Sequence, residues 1–223
     1  MATELLRVAE LFYSIQGEST RAGLPCLFVR LAGCNLRCAY CDARYAWEEP
    51  GTPMRVAEIA AWAASIPGVA VEITGGEPLL QPAVYALIEA LIRDGRAVLL
   101  ETNGSLMLDR VPDAVGIIMD VKCPDSGMAD HNLAANFAIL RERQQRGCQD
   151  EVKFVLSSAA DFHWARQLLA RQGLATVLPI LFSPVRPLLD PAILAGLLLE
   201  YRLPVRLQLQ LHTLLWPDKT RGA

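Results

Sequence analysis

Two hydrophobic periods alternate along the chain. Residues 6–15 and 26–31 are dense in Leu, Val, Phe and other strand formers, and the turn residues of 17–23 separate them, which predicts two strands. Residues 56–66 carry apolar side chains at helical spacing, and 69–74 is a short apolar run ending in Gly75-Gly76, so a helix is followed by a strand. The unit then recurs. Helices are predicted at 81–93, 132–146, 159–171 and 191–201, and strands at 97–101, 115–120, 151–156, 176–181 and 205–211.

Such alternation predicts an α/β fold of mostly parallel strands with helices outside, either an open doubly wound sheet or a partial, incomplete TIM-like β/α barrel. The unit count is short of a full eight-fold barrel, which takes roughly 250 residues. Composition adds little to this picture. No shift marks a linker, so 1–223 reads as a single domain, and 52% apolar residues supply one sizeable core. A net charge of -3 without a basic stripe argues against nucleic acid as a partner. Charges interrupt every apolar stretch, and the first residues do not resemble an export signal, so the expectation is a cytoplasmic protein with no membrane contact.

Six cysteines in a reducing compartment are not naturally disulfides. Cys26, Cys123 and Cys148 are scattered; Cys34, Cys38 and Cys41 form a CxxxCxxC loop just after a predicted strand. Cubane clusters usually take four thiolates, so three leave one iron open to a ligand. A zinc site remains open on spacing alone, with a fourth ligand from Cys26 or a distant His.

The loop, with aromatic Tyr40 before its last Cys, resembles the radical S-adenosylmethionine superfamily. There a [4Fe-4S] cluster binds S-adenosylmethionine through its unique iron and breaks a carbon–sulfur bond to give a 5′-deoxyadenosyl radical. A partial barrel with a mostly apolar lumen is expected to shield it. Gly75-Gly76-Glu77-Pro78 resembles the superfamily's GGEP motif, and Glu101-Thr102-Asn103-Gly104 closes the next strand with polar groups. The resemblance implies that Tyr40, Asp42, Gly75, Gly76, Glu77, Glu101, Asn103, Asp120, Lys122 and Ser183 surround the cofactor, with Glu77 meeting its ammonium group.

Phe12-Tyr13-Ser14-Ile15-Gln16-Gly17-Glu18-Ser19, Val29-Arg30-Leu31-Ala32-Gly33, Asp120-Val121-Lys122, Glu151-Val152-Lys153-Phe154 and Gln208-Leu209-Gln210-Leu211-His212 are similar to segments of the 7-carboxy-7-deazaguanine synthase family. The likeness implies a lyase of queuosine biosynthesis, a tRNA-modification pathway. Its substrate is 6-carboxy-5,6,7,8-tetrahydropterin, and its electron donor a flavodoxin or ferredoxin. It also implies a homodimer. Ile15, Gln16, Gly17, Glu18, Arg30, Thr74, Gln210, His212 and Ala223 match substrate positions, with Arg30 facing the substrate carboxylate. Lys122 and Lys153 are equally compatible with solvent-facing strand ends. The family's magnesium-binding Thr is Ala43 here, so the need for Mg2+ stays open, and Phe182-Ser183-Pro184 stands where Gln-Pro is expected. Rival readings are a glycyl-radical-enzyme activating enzyme, a non-enzymatic iron–sulfur carrier and a zinc-stabilised binding module.

Overall fold

The computed structural model describes residues 4–222. Nine strands form one sheet: β1 (Leu5–Ile15), β2 (Pro25–Leu31), β3 (Thr52–Arg55), β4 (Ala70–Gly75), β5 (Val98–Thr102), β6 (Val115–Val121), β7 (Glu151–Leu156), β8 (Ile180–Pro184) and β9 (Arg206–Leu207). The helices are α1 (Tyr45–Glu48), α2 (Val56–Ala64), α3 (Val84–Arg93), α4 (Ala135–Gln145), α5 (Ala159–Gln172), α6 (Pro191–Glu200) and α7 (Leu211–Leu215). No helix among the described residues is long and apolar enough to cross a membrane.

The strand order is β3-β1-β2-β4-β5-β6-β7-β8-β9, parallel from β2 onward, with β1 and β3 antiparallel at one margin. From β2 the order never doubles back. Right-handed crossovers that always step the same way set their helices on one face, whereas a doubly wound sheet needs a reversal. The sheet is therefore singly wound and open, with β3 and β9 as its edges.

That one-sidedness explains the alternation within strands. Val71 and Ile73, Val98 and Leu100, Ile117 and Met119, and Val152 and Phe154 belong to the apolar core. Their neighbours Glu72, Thr74, Glu101, Asp120 and Lys153 point to the opposite face, because successive strand side chains alternate. The lumen is consequently charged rather than mostly apolar as expected from the sequence.

Several boundaries differ for local reasons. The strand expected at 205–211 shrinks to two residues because the chain leaves the sheet: Leu211 N donates to Gly17 O (3.0 Å) and Gln208 Nε2 to Ser19 O (3.2 Å). The strand expected from 176 begins at Ile180, since Val177 N and Leu178 N are spent on a turn at Leu174 O. Helix α4 begins after Asn132, whose side chain brackets the Lys122 backbone at 2.8 Å on both sides. Strand β3 was not expected; it contains Pro53 and runs along the edge, where a missing N–H is tolerated.

The end of the sheet where the parallel strands begin is riveted by Arg143, which is 1% exposed. Its guanidinium donates to Val111 O and Val115 O (both 2.7 Å) and pairs with buried Asp150 (2.8 Å), whose other oxygen accepts from Ile117 N (2.9 Å). The reactive groups lie at the opposite end and within the lumen.

Candidate active site

At the carboxyl ends of β2 and β4 the chain packs with no space to spare. Gly75 has φ +148°, and a Cβ there would lie 2.2 Å from Leu31 O; one on Gly76 would lie 2.2 Å from Gly33 O and 2.7 Å from Cys34 Cβ. The two glycines thus seat β4 against the cysteine loop itself, held by Gly76 N to Leu31 O (3.1 Å) and Glu77 N to Gly33 O (2.9 Å). A Gly76→Ala substitution should push the loop out of register. We expect the purified variant to hold less than about a tenth of the wild-type iron, with the helical circular dichroism retained.

Glu77 differs from its expected placement. It is fully buried and does not line the cavity; its carboxylate accepts from Leu79 N (3.0 Å), Thr102 Oγ1 (2.9 Å) and Asn103 N (2.7 Å). It clamps the segment after β5 to the segment after β4, which aims Asn103 at the cysteines. Asn103 Nδ2 donates to Asn35 Oδ1 (3.1 Å) and approaches Cys34 Sγ (3.8 Å).

Cys34, Cys38 and Cys41 line a cavity of about 650 Å3. Burial raises the Cys38 and Cys41 thiol pKa values; the nearby Lys122 cation works against this at both, and the Ala43 backbone N–H also lowers the value at Cys41. Lys122 is itself lined up by Asp120 (2.6 Å); burial disfavours its charge, but Asp120 and the Cys38 sulfur outweigh that and raise its pKa. Tyr40 reaches across the cavity to donate to Val155 O (2.9 Å).

The cavity continues from the cysteines down into the lumen. Its floor is the 16–24 loop, folded inward between β1 and β2. Gln16 Nε2 donates to Glu72, Gln16 Oε1 accepts from Glu18 N (2.8 Å), and Glu18 is held by Lys153 (2.6 Å) and Gln210 (2.9 Å). Lys153 also pairs with Glu101, whose other oxygen accepts from Thr74 Oγ1 (2.8 Å). Burial would raise the Glu101 pKa, but Lys153 holds it below the usual carboxylate range. Glu72 has no such partner, and burial with the neighbouring Glu101 charge pushes its pKa well up. Of the two carboxyls, Glu72 is the one driven toward its neutral form.

Arg30 stands between Glu10 (3.1 Å) and the faces of Phe12 and Tyr45, 5.7 and 6.0 Å from their centroids. Lys153 is buried and Lys122 half-buried, its side chain 15% exposed, so neither is a solvent-facing strand end. Ile15, Gly17, Asp42, Gly75, Gly76 and His212 line the cavity with these groups. Ser183 does not, and Ala223 lies outside the described residues. Sequence reasoning missed Glu10, Tyr45, Trp47 and Glu72, of which only Glu72, a charge inside an apolar run, left a signal.

Three buried polar atoms near this end lack partners: Trp47 Nε1, Asp120 Oδ1 and Ser183 Oγ. Two of these residues, Trp47 and Asp120, line the cavity beside the cysteines. Orphaned donors and acceptors around three convergent thiols fit a cluster and a polar cofactor bound to it. Magnesium fits less well. Glu18, Asp42 and His212 bring ligand atoms within 4.8 Å of one another, but both Glu18 oxygens are engaged and an imidazole is a poor magnesium donor.

Along its entire length the chain is 48% identical to the 7-carboxy-7-deazaguanine synthase of Chlorobaculum tepidum, over 223 residues and all of both chains. The chain belongs to the 7-carboxy-7-deazaguanine synthase family. The synthase of Koribacter versatilis is 41% identical over 232 residues, covering 97% of this chain and all of that one. Residues 29–123, which carry the cysteine loop and the Gly75-Gly76 turn, match the radical SAM superfamily. The crystal structure of QueE from Escherichia coli has the same fold, with a TM-score of 0.73 at 21% identity over 92% of this chain and 94% of that one.

Proposed function

We propose that the chain converts 6-carboxy-5,6,7,8-tetrahydropterin into 7-carboxy-7-deazaguanine with release of ammonia, as a radical S-adenosylmethionine lyase of queuosine biosynthesis. The observation that carries this reading is the single cavity that runs from three thiols to a floor of paired charges. When bound, the cluster and S-adenosylmethionine supply the radical that takes hydrogen from the carbon bearing the substrate carboxylate.

The chain's own residues do the rest. Cys34, Cys38 and Cys41 hold the cluster; Asp120, with its free oxygen, Asn103, Tyr40, Asp42, Lys122 and the Gly75-Gly76 backbone surround the nucleoside and amino acid ends of the cofactor. Ser183 keeps a free hydroxyl for a contact only where the cavity wall yields. Gln16, Glu18 and the backbone from Ile15 to Gly17 read the amide-like edge and amino group of the pterin. Arg30 and His212 take its carboxylate, and Thr74 and Gln210 hold Glu101 and Glu18 in place. Ala223 is included here by family likeness alone.

The test is anaerobic incubation of reduced, cluster-loaded protein with S-adenosylmethionine and the carboxytetrahydropterin, read as a deazapurine product. Arg30→Ala should raise KM for the pterin about 100-fold, the loss of a charge-assisted pair, while slow cleavage of the cofactor persists. Absence of deazapurine with intact cofactor cleavage would redirect the search to another substrate. Because Ala43 offers no ligand, extensive dialysis against EDTA should lower kcat/KM less than about threefold. Iron content measured in parallel distinguishes this from loss of the cluster.

A single catalytic domain, a cytoplasmic setting, a flavodoxin or ferredoxin donor and a homodimer complete the proposal; small-angle scattering and donor-dependent reduction assays test the last two.

A further inference from the structure

Trp47 follows the cysteine loop on α1, lines the cavity beside the thiols, and has an indole Nε1 that is buried with no hydrogen-bond partner. Nothing in the substrate chemistry uses it. Trp47 and Cys41 line the same cavity six residues apart, the indole N–H makes no hydrogen bond there, and Trp47 draws the Cys41 thiol pKa down against the larger effect of burial. The ring is held from its other side. Arg37 lies over it at 4.2 Å from the centroid, and its guanidinium is fixed by Cys34 O (2.8 Å) and Leu36 O (2.7 Å). An exposed cation thus fastens the indole to the very loop whose sulfurs it faces.

The sulfurs are also served unequally. Leu36 N donates to Cys34 Sγ at 3.4 Å and Asn103 Nδ2 approaches it at 3.8 Å. Cys41 has the Ala43 backbone N–H, and the unmet indole is a side-chain N–H beside it in the cavity. A buried N–H without an acceptor is costly, and a thiolate or sulfide carrying cluster charge is the acceptor within reach.

We propose that Trp47 donates an N–H···S hydrogen bond to the Cys41 side of the cluster and thereby raises its reduction potential. Resting on the cluster reading, the inference assigns Trp47 a positioning and tuning role in electron uptake. A donor aimed at sulfur stabilises the extra charge of the reduced state more than the oxidised one.

The test uses cluster-loaded protein labelled with indole-15N tryptophan. Electron–nuclear double resonance of the reduced cluster should show a 15N coupling that disappears in Trp47→Phe. The midpoint potential of the variant should fall by up to about 59 mV, a tenfold harder one-electron reduction. Four tryptophans carry the label, and Trp216 also lines the cavity. A coupling that survives in Trp47→Phe therefore overturns the proposal, as does a loaded wild type with no coupling or a variant of unchanged potential. Should the variant refuse the cluster, loaded Trp216→Phe decides: a 15N coupling kept there supports the proposal, and one lost there overturns it. A wild type that assembles no iron–sulfur cluster at all brings down the cluster reading first, and this inference with it.

Discussion

Cys38→Ala is expected to lose the brown cluster chromophore and all reductive cleavage of S-adenosylmethionine, with product formation falling to background. The reason is the absence of a substitute. Cys26, Cys123 and Cys148 are buried and none lines the cavity, so no other thiol among the described residues is placed to complete the set. Two thiolates cannot hold three corners of a cubane. The fold should survive, because Cys38 is only partly buried and belongs to no strand or helix. Iron analysis, visible absorbance and circular dichroism on one anaerobic preparation check all three statements. A variant that retained the cluster would show that a ligand outside this loop participates.

Lys153→Met should be the most damaging change away from the cysteines. The Lys153 side chain is 5% exposed and bridges Glu18 and Glu101, so its removal leaves two carboxylates facing one another in the lumen. Loss of one partner from a buried pair costs about 3–5 kcal/mol, which lowers Tm by roughly 10 °C for a chain of this size. The pH dependence should reverse as well. In the native protein Glu101 is held below its ordinary pKa, so its contribution is present above the unfolded carboxylate value and fades as the pH falls through the folded one. In the variant burial would raise that pKa, the folded state would bind the extra proton, and stability would fall as the pH rises. Melting curves between pH 3 and 8 test the sign; a variant still losing stability as the pH falls below about 4.5 would mean that another cation neutralises Glu101.

The same residues show what sequence could and could not convey. The order of strands and helices was legible because apolar runs and turn residues are local. The unit count and the connection rule left an open doubly wound sheet or a partial barrel, and only the strand order shows the single winding. The lumen was misread because Glu72 was passed over and Glu101, Asp120 and Lys153 were read one by one, when strand alternation sets all four on one shared face. A run such as Val-Glu-Ile buries three side chains on two different faces, and only the pairing of strands reveals which. The cysteines, Gln16, Glu18 and Arg30 were found through motif likeness and do converge on the cavity. Glu77 shows the limit of that route: its neighbours, Thr102 and the Asn103 backbone, use up a carboxylate expected to greet a ligand. Glu10, Tyr45 and Trp47 carry no motif; Tyr45 and Trp47 arrive on α1, and Glu10 on β1 meets Tyr45 and Arg30 across the sheet margin.

The Arg143 rivet has a practical corollary. It ties the loops before β6 and β7 at the foot of the sheet, while cofactor and substrate groups occupy the head and the interior. One part of the resistance to heat is therefore written away from the groups proposed to choose the substrate, although Lys153 in the lumen serves both. Libraries aimed at a hardier biocatalyst belong around residues 111–116 and 143–150, where a gain in durability leaves the reaction's selectivity untouched.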